Sequence, residues 1–343
     1  MKNIIENIYN TWNKDGNFSG VFSVSGLDGV IFEKACGCRN KSEKLPNMPD
    51  TAFGIASGTK LFAGLAACKL IDEGKLSLED KLWDLLPHDL EQIDKRVTVR
   101  HLLTHTSGVG DYIDEEAEGS IGQLDALYAK YPCYLWKRLD YYLQMITPLR
   151  PKFEPGARYS YSNSGYVLLG LVIEAVSGMP YQQFVQENII MPCNLAHTGF
   201  YRMDSLPTNT ALGYIRDEKN EEWRTNIFSL PVIGGSDGGL FTCAKDLDKL
   251  WRAIFANKIL SEEMTQIFTS EQAVIDEEGG EGYGLGIYRT SRNGKLIYFA
   301  VGVDYGVYFF TTYFPKEKIV ASALGNTDVN IFPLLGKLFD SLG

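Results

Sequence analysis

Ser57 and Lys60 stand three residues apart in the run Ser57-Gly58-Thr59-Lys60. A serine hydroxyl is a poor nucleophile near neutral pH and needs an adjacent base. At the start of a helix, positions i and i+3 share a face, so the Lys60 amine reaches the Ser57 hydroxyl. Lysine serves as a base when burial lowers its pKa, and a helix N-terminus disfavours the ammonium further. The chemistry implied is acyl transfer through serine. The run also reads as an ordinary helix start, because this spacing arises by chance about once in a chain of this length.

A second candidate is Tyr161-Ser162-Asn163, just ahead of a strongly apolar stretch. Tyr161 could carry a proton between Ser57 and a leaving group. The Asn163 amide could orient Lys60 and bind a substrate carbonyl. The plainer alternative is that Asn163 caps the following helix and Tyr161 packs beneath it. His101 and His105 have the i, i+4 spacing of a metal pair, but they lack the H-E-x-x-H glutamate and a third ligand, so they read as structural. The run from Gly234 to Gly239 lacks the lysine and the strand-to-helix context of a phosphate cradle and reads as a tight turn. No metal or other cofactor is expected.

The elements that must hold these residues follow from periodicity. Apolar residues at 4, 5, 8 and 12 predict a first helix over 4–12. Gly20–Gly26 and Gly29–Cys36, joined by Leu27-Asp28, read as a β-hairpin. Thr59–Asp72 carries a helical stripe with Gly74 beyond its end. Residues 97–104 begin in alternation and turn helical. Residues 166–177 are apolar nearly all round and predict a buried helix. A further helix is expected near 246–256. Residues 297–300, 306–313 and 318–324 read as three consecutive strands, and 329–342 as a final amphipathic helix. Strands at both ends of the chain share one sheet only if the middle is an insertion. That is an α+β architecture with a sheet domain from 1–60 and 230–343, a mainly helical domain from 61–229, and the active site between them.

Composition bounds the rest. The chain has 343 residues, 45% apolar and 22% charged, with 33 basic and 43 acidic side chains for a formal net charge of −10. Nucleic acid is excluded as a general partner, because phosphate neutralisation needs clustered cations and no basic run exceeds two residues. Acidic runs at 114–118 and 276–281 read as solvated loops. The longest apolar run is far short of the ~20 residues needed to span a bilayer. The N-terminus has no signal-peptide pattern, so a cytoplasmic protein without a membrane partner is expected, unless a secretion signal has been trimmed. Six cysteines are too few for a disulfide scaffold and read mostly as buried free thiols. The oligomeric state is not legible.

Three segments together resemble the serine β-lactamase and penicillin-binding-protein superfamily, and most nearly its class C β-lactamase and esterase branch. They are Ile55-Ala56-Ser57-Gly58-Thr59-Lys60, the stretch Val97-Thr98-Val99-Arg100-His101-Leu102-Leu103-Thr104-His105-Thr106-Ser107-Gly108, and Pro155-Gly156 with Tyr161-Ser162-Asn163-Ser164-Gly165-Tyr166. The similarity runs from about residue 53 to 326. The resemblance implies a five-stranded antiparallel sheet flanked by helices with a helical domain beside it. It also implies Ser57 as the acylated nucleophile, a Lys60/Tyr161 pair as base and proton carrier, and Asn163 as a substrate contact. The backbone N–H groups of Ser57 and Val303 would form the oxyanion hole, and Tyr112 would line the cleft. The tyrosines from 128 to 142 read either as a substrate wall or as packing.

The third family motif, a Lys or His followed two residues later by Gly, falls at Ala300-Val301-Gly302. The glycine is present and the cation is not. Tyr161 then has only Lys60 as a near positive neighbour, and nearby Asp304 would repel the carboxylate of a β-lactam. The expectation is therefore a serine hydrolase with an acyl-enzyme at Ser57, acting on small esters or amides. A D-aminopeptidase, a DD-carboxypeptidase or a weak β-lactamase is the alternative within the class. A catalytically silent protein binding a ligand in the same cleft is the alternative outside it.

Overall fold

The computed structural model describes residues 1–116, 120–217 and 222–342. Glu118, in the first acidic run, lies outside them. Helix α1 is Lys2–Trp12, and the expected hairpin forms from β1 (Gly20–Gly26) and β2 (Gly29–Cys36). Helix α2 spans Thr59–Asp72, α3 Asn163–Ser177 and α4 Ala244–Phe255. The other strands of the large sheet are β3 (Ala273–Asp276), β4 (Glu281–Tyr283), β5 (Tyr288–Arg292), β6 (Lys295–Asp304), β7 (Val307–Phe314) and β8 (Ile319–Gly325). Helix α5 (Phe332–Leu342) closes the chain.

These eight strands form one antiparallel sheet in the order β2-β1-β8-β7-β6-β5-β4-β3, and among the described residues six shorter strands pair into three two-stranded ribbons. Strand β1 pairs with β8 from Gly20 against Gly325 to Ser25 against Val320, which joins the two ends of the chain. The sheet therefore has eight strands where the resemblance implied five. The three added strands are β5 and, beyond it at the edge, β3 and β4, which are only four and three residues long. The two edge strands flank the acidic run at 276–281, so no apolar alternation announces them.

Side chains alternate across the sheet, and each face finds its own cover. On β6, Ile297 and Phe299 face α1 and α5 in a core that includes Ile5, Tyr9, Leu334 and Leu338. Tyr298 and Ala300 face the other way, into the larger core built on α2, α3 and α4. Helix α3 is buried almost throughout, as its unbroken apolar surface requires. It starts three residues earlier than periodicity indicates. Ser162 is its N-cap and accepts the Gly165 N–H at 3.0 Å, which leaves Asn163 free of that role. At Gly170 of α3 a Cβ would sit 2.2 Å from Ser236 Oγ, so only glycine lets the glycine-rich loop seat against the helix. Among the described residues no single helix is long and apolar enough to cross a membrane.

Candidate active site

The chain turns sharply before α2. Ala56 adopts φ 45°, a left-handed conformation that costs a residue with a Cβ about 1 kcal/mol. The turn is fastened by Thr59, whose hydroxyl donates to Ala56 O at 2.7 Å and accepts the Leu240 N–H at 3.0 Å. Strand β6 runs directly behind it. A Cβ on Gly302 would lie 2.2 Å from Ile55 O and 2.9 Å from Ser57 N. That contact sets the backbone of Gly302 and Val303 beside the backbone N–H of Ser57.

Lys60 is 2% exposed, and its Nζ lies 3.0 Å from Ser57 Oγ, 2.8 Å from Asn163 Oδ1 and 2.7 Å from the backbone oxygen of Asp237. Two of these three neighbours can only accept. A neutral amine therefore spends both N–H groups on Asn163 and Asp237 and turns its lone pair toward the Ser57 hydroxyl. Burial holds the Lys60 pKa below the usual lysine range, against the opposing pull of Asp237, Glu115, Asp111 and Asp304. The amide of Asn163 is fixed in turn, with Nδ2 3.3 Å from Glu115 Oε1 and 3.4 Å from Ile113 O.

Tyr161 hydrogen-bonds Ser57, and the Lys60 ammonium nitrogen sits 4.7 Å from its ring centroid. Burial, then the charge of Glu115, raises its pKa well above the usual range, so the resting group is a neutral phenol. Its ring packs 4.6 Å from that of His105. His105 accepts the Ser162 N–H at Nδ1, 3.0 Å away, and His101 accepts the Thr98 N–H at 3.2 Å. Both imidazoles thus fasten local backbone.

The structure brings Ser57, Lys60, Tyr161 and Asn163 together around one cavity of about 1020 Å³, with Tyr112, Gly302 and Val303 in its lining. Val303 is 46% exposed. Ala300 is 4% exposed and belongs to the core beneath. The glycine-rich segment is the expected tight turn, Gly235 N–H bonding Gly238 O at 2.9 Å.

Three acidic residues had no role assigned from the sequence. Asp111 accepts the N–H groups of Asn163 (2.7 Å) and Ser164 (2.9 Å), anchoring the start of α3, and burial pushes its carboxyl up to about 6. Asp237 accepts the Tyr112 hydroxyl while its backbone holds Lys60. Glu115, in a run that reads as a solvated loop, instead lines the cavity. Their partners are tens of residues away in sequence, so no local pattern marks them.

The sheet, its helical cover and the Ser–Lys turn define a penicillin-binding-protein-like class. The fold matches the penicillin binding protein from Bacillus halodurans with a TM-score of 0.90 at 36% identity, covering 97% of this chain and 98% of that one. The chain belongs to the Beta-lactamase family, whose model matches residues 5–335, and so to a superfamily of serine hydrolases. It is 28% identical over 275 residues to the putative penicillin-binding protein PbpX of Bacillus subtilis (strain 168), covering 80% of this chain and 63% of the relative. The chain thus spans less than two-thirds of that relative's length. The fold alone is shared with EstCE1, a hydrolase with promiscuous acyltransferase activity, at 23% identity and a TM-score of 0.78 over 98% of this chain and 97% of that one.

Proposed function

We propose that the protein is a serine hydrolase that forms an acyl-enzyme at Ser57 and acts on small esters or amides. The observation that carries this reading is the hydrogen bonding of Lys60, which leaves the lone pair of the neutral amine one direction, toward Ser57 Oγ. In acylation, Ser57 Oγ bonds to the substrate carbonyl carbon and its proton passes to Lys60 Nζ. The carbonyl oxygen becomes an oxyanion held by the N–H groups of Ser57 and Val303, donors that supply a factor of about 100 to 1,000 in rate. The bond to the leaving group breaks as that group takes a proton through the Tyr161 hydroxyl. Water then enters by the reverse path, its proton passing to the same pair, and the acid leaves with Ser57 restored. Asn163 steers Lys60 and contacts the substrate. The cleft lies between a sheet domain of 1–60 with 230–343 and a helical domain of 61–229.

β-Lactams are poor substrates in this account. Ala300 stands where the family motif has a cation, and no Lys, Arg or His occurs among the described residues lining the cavity. Hydrolysis of p-nitrophenyl butyrate and of nitrocefin by the native protein and Ser57→Ala tests both statements. The expected result is butyrate turnover abolished by the substitution, with nitrocefin turnover far slower. Butyrate turnover unchanged in Ser57→Ala contradicts the mechanism, and brisk nitrocefin turnover contradicts the selectivity.

A further inference from the structure

The cavity carries charge of one sign where substrate must sit. Glu115, Asp237 and Asp304 all line it. Asp237 is engaged by the Tyr112 hydroxyl, and Glu115 by the Asn163 amide. Asp304 is different. It follows Val303 at the end of β6, and among the described residues its one hydrogen bond is from the backbone N–H of Tyr305 to Oδ1, at 2.8 Å. Among the described residues the other carboxyl oxygen has no hydrogen-bond donor, and Asp304 lines the cavity.

Aromatic residues line the same cavity. Tyr128 and Tyr142 both feel the charges of Asp304 and Asp237, and burial keeps both phenols neutral. They pack on Trp136 with ring centroids at 5.4 Å and 4.9 Å. The three rings form one wall of the cavity. A carboxylate short of donors, in a cavity also lined by neutral aromatic rings, suits an organic cation better than an anion. Burial, with the charges of Asp237 and Glu115 adding to it, pushes the Asp304 carboxyl up to about 7, so the site as it stands holds that charge at a cost. A ligand cation offsets that cost and a neutral group does not.

We propose that Asp304, with Tyr128 and Tyr142, forms a subsite for the ammonium group of the substrate. Amino-acyl amides and esters with a free amine are then the preferred class. This rests on the serine-hydrolase reading and narrows it. The ammonium lies close to the scissile carbonyl, because Asp304 is one residue beyond the Val303 N–H that receives the oxyanion.

The test compares kcat/KM for D- and L-alanine p-nitroanilide with their N-acetyl and N-succinyl forms, which replace the ammonium by a neutral amide and, for succinyl, add a carboxylate a few bonds beyond it. The free amine of at least one enantiomer is expected to lead its N-acetyl form by about tenfold or more, the scale of a partly desolvated charged hydrogen bond, with the N-succinyl form last. In Asp304→Asn that ratio falls toward unity, whatever the absolute rates. Equal or better turnover of the N-acetyl form by the native protein overturns the proposal. Calorimetric titration of Ser57→Ala with alaninamide and N-acetylalaninamide separates this from a failure of the hydrolase reading, because it needs no turnover. Tighter binding of the amine, lost when Asp304→Asn is added, supports the subsite even if no substrate is cleaved. Equal binding of the two amides refutes it even if neutral esters are cleaved through Ser57.

Discussion

At the scale of single residues, the account turns on Lys60 being able to lose its proton. Burial lowers its pKa, so the neutral amine becomes available below the ordinary lysine value. The sign follows directly: kcat/KM on a neutral ester rises with pH as Lys60 deprotonates and levels off below the usual lysine pKa of about 10.4. Lys60→Arg keeps the charge but cannot deprotonate, and is expected to lose a factor of about 100 to 10,000. A flat pH profile, or an active arginine variant, contradicts the assignment. The pairing of Ser57 with Lys60 was legible because helical spacing dictates it. The Asn163 and Asp237 contacts that aim the amine were not, since they join residues 103 and 177 positions away from Lys60.

At the scale of elements, the nucleophile turn and β6 are held at a separation that admits no side chain at Gly302. Gly302→Ala places a methyl against the backbone oxygen of Ile55, and the strand or the turn must move. Displacing the oxyanion donors by a fraction of an ångström is expected to cost about 100-fold or more in turnover, with a lowered melting temperature. Native activity in that variant would show that the close contact does not set the site. The hairpin β1–β2 and helix α2 were readable to the residue, because glycines bound the strands at Gly20, Gly26 and Gly29 and Gly74 follows the helix. The start of α3 was misplaced because Asn163 and Ser164 are polar residues buried against Lys60 and Asp111, which breaks the apolar pattern. The short edge strands β3 and β4 gave no periodic signal at all.

At the scale of the whole molecule, function and stability pull in opposite directions in the cleft. Burial, then the charges of Asp237 and Glu115, push Asp304 from about 3.8 when unfolded up to about 7 when folded, with Lys60 as the compensating charge and Tyr128, Tyr142 and Tyr305 sharing its electrostatic field. Between those values the folded protein holds the extra proton, so stability falls as pH rises from about 4 to about 7 and stays reduced above that. Asp304→Asn is therefore expected to raise the melting temperature by about 2 °C or more at pH 8, and by less at pH 5. An equal gain at both values, or a loss at pH 8, contradicts it. The α+β layout was legible because the strands of the large sheet lie at the two ends of the chain. Of the charges inside the cleft only Asp304 was legible, from its place just after Gly302 and Val303; Asp237 and Glu115 were not, because net charge says nothing about which acids meet.

The central claim is an activated serine at residue 57. Intact mass after incubation with a fluorophosphonate, for the native protein and Ser57→Ala, tests it without choosing a substrate. The account requires a single adduct on the native chain and none on the variant. A folded native protein that takes no adduct, or a variant that still takes one, would mean that Lys60 and Tyr161 do not activate Ser57.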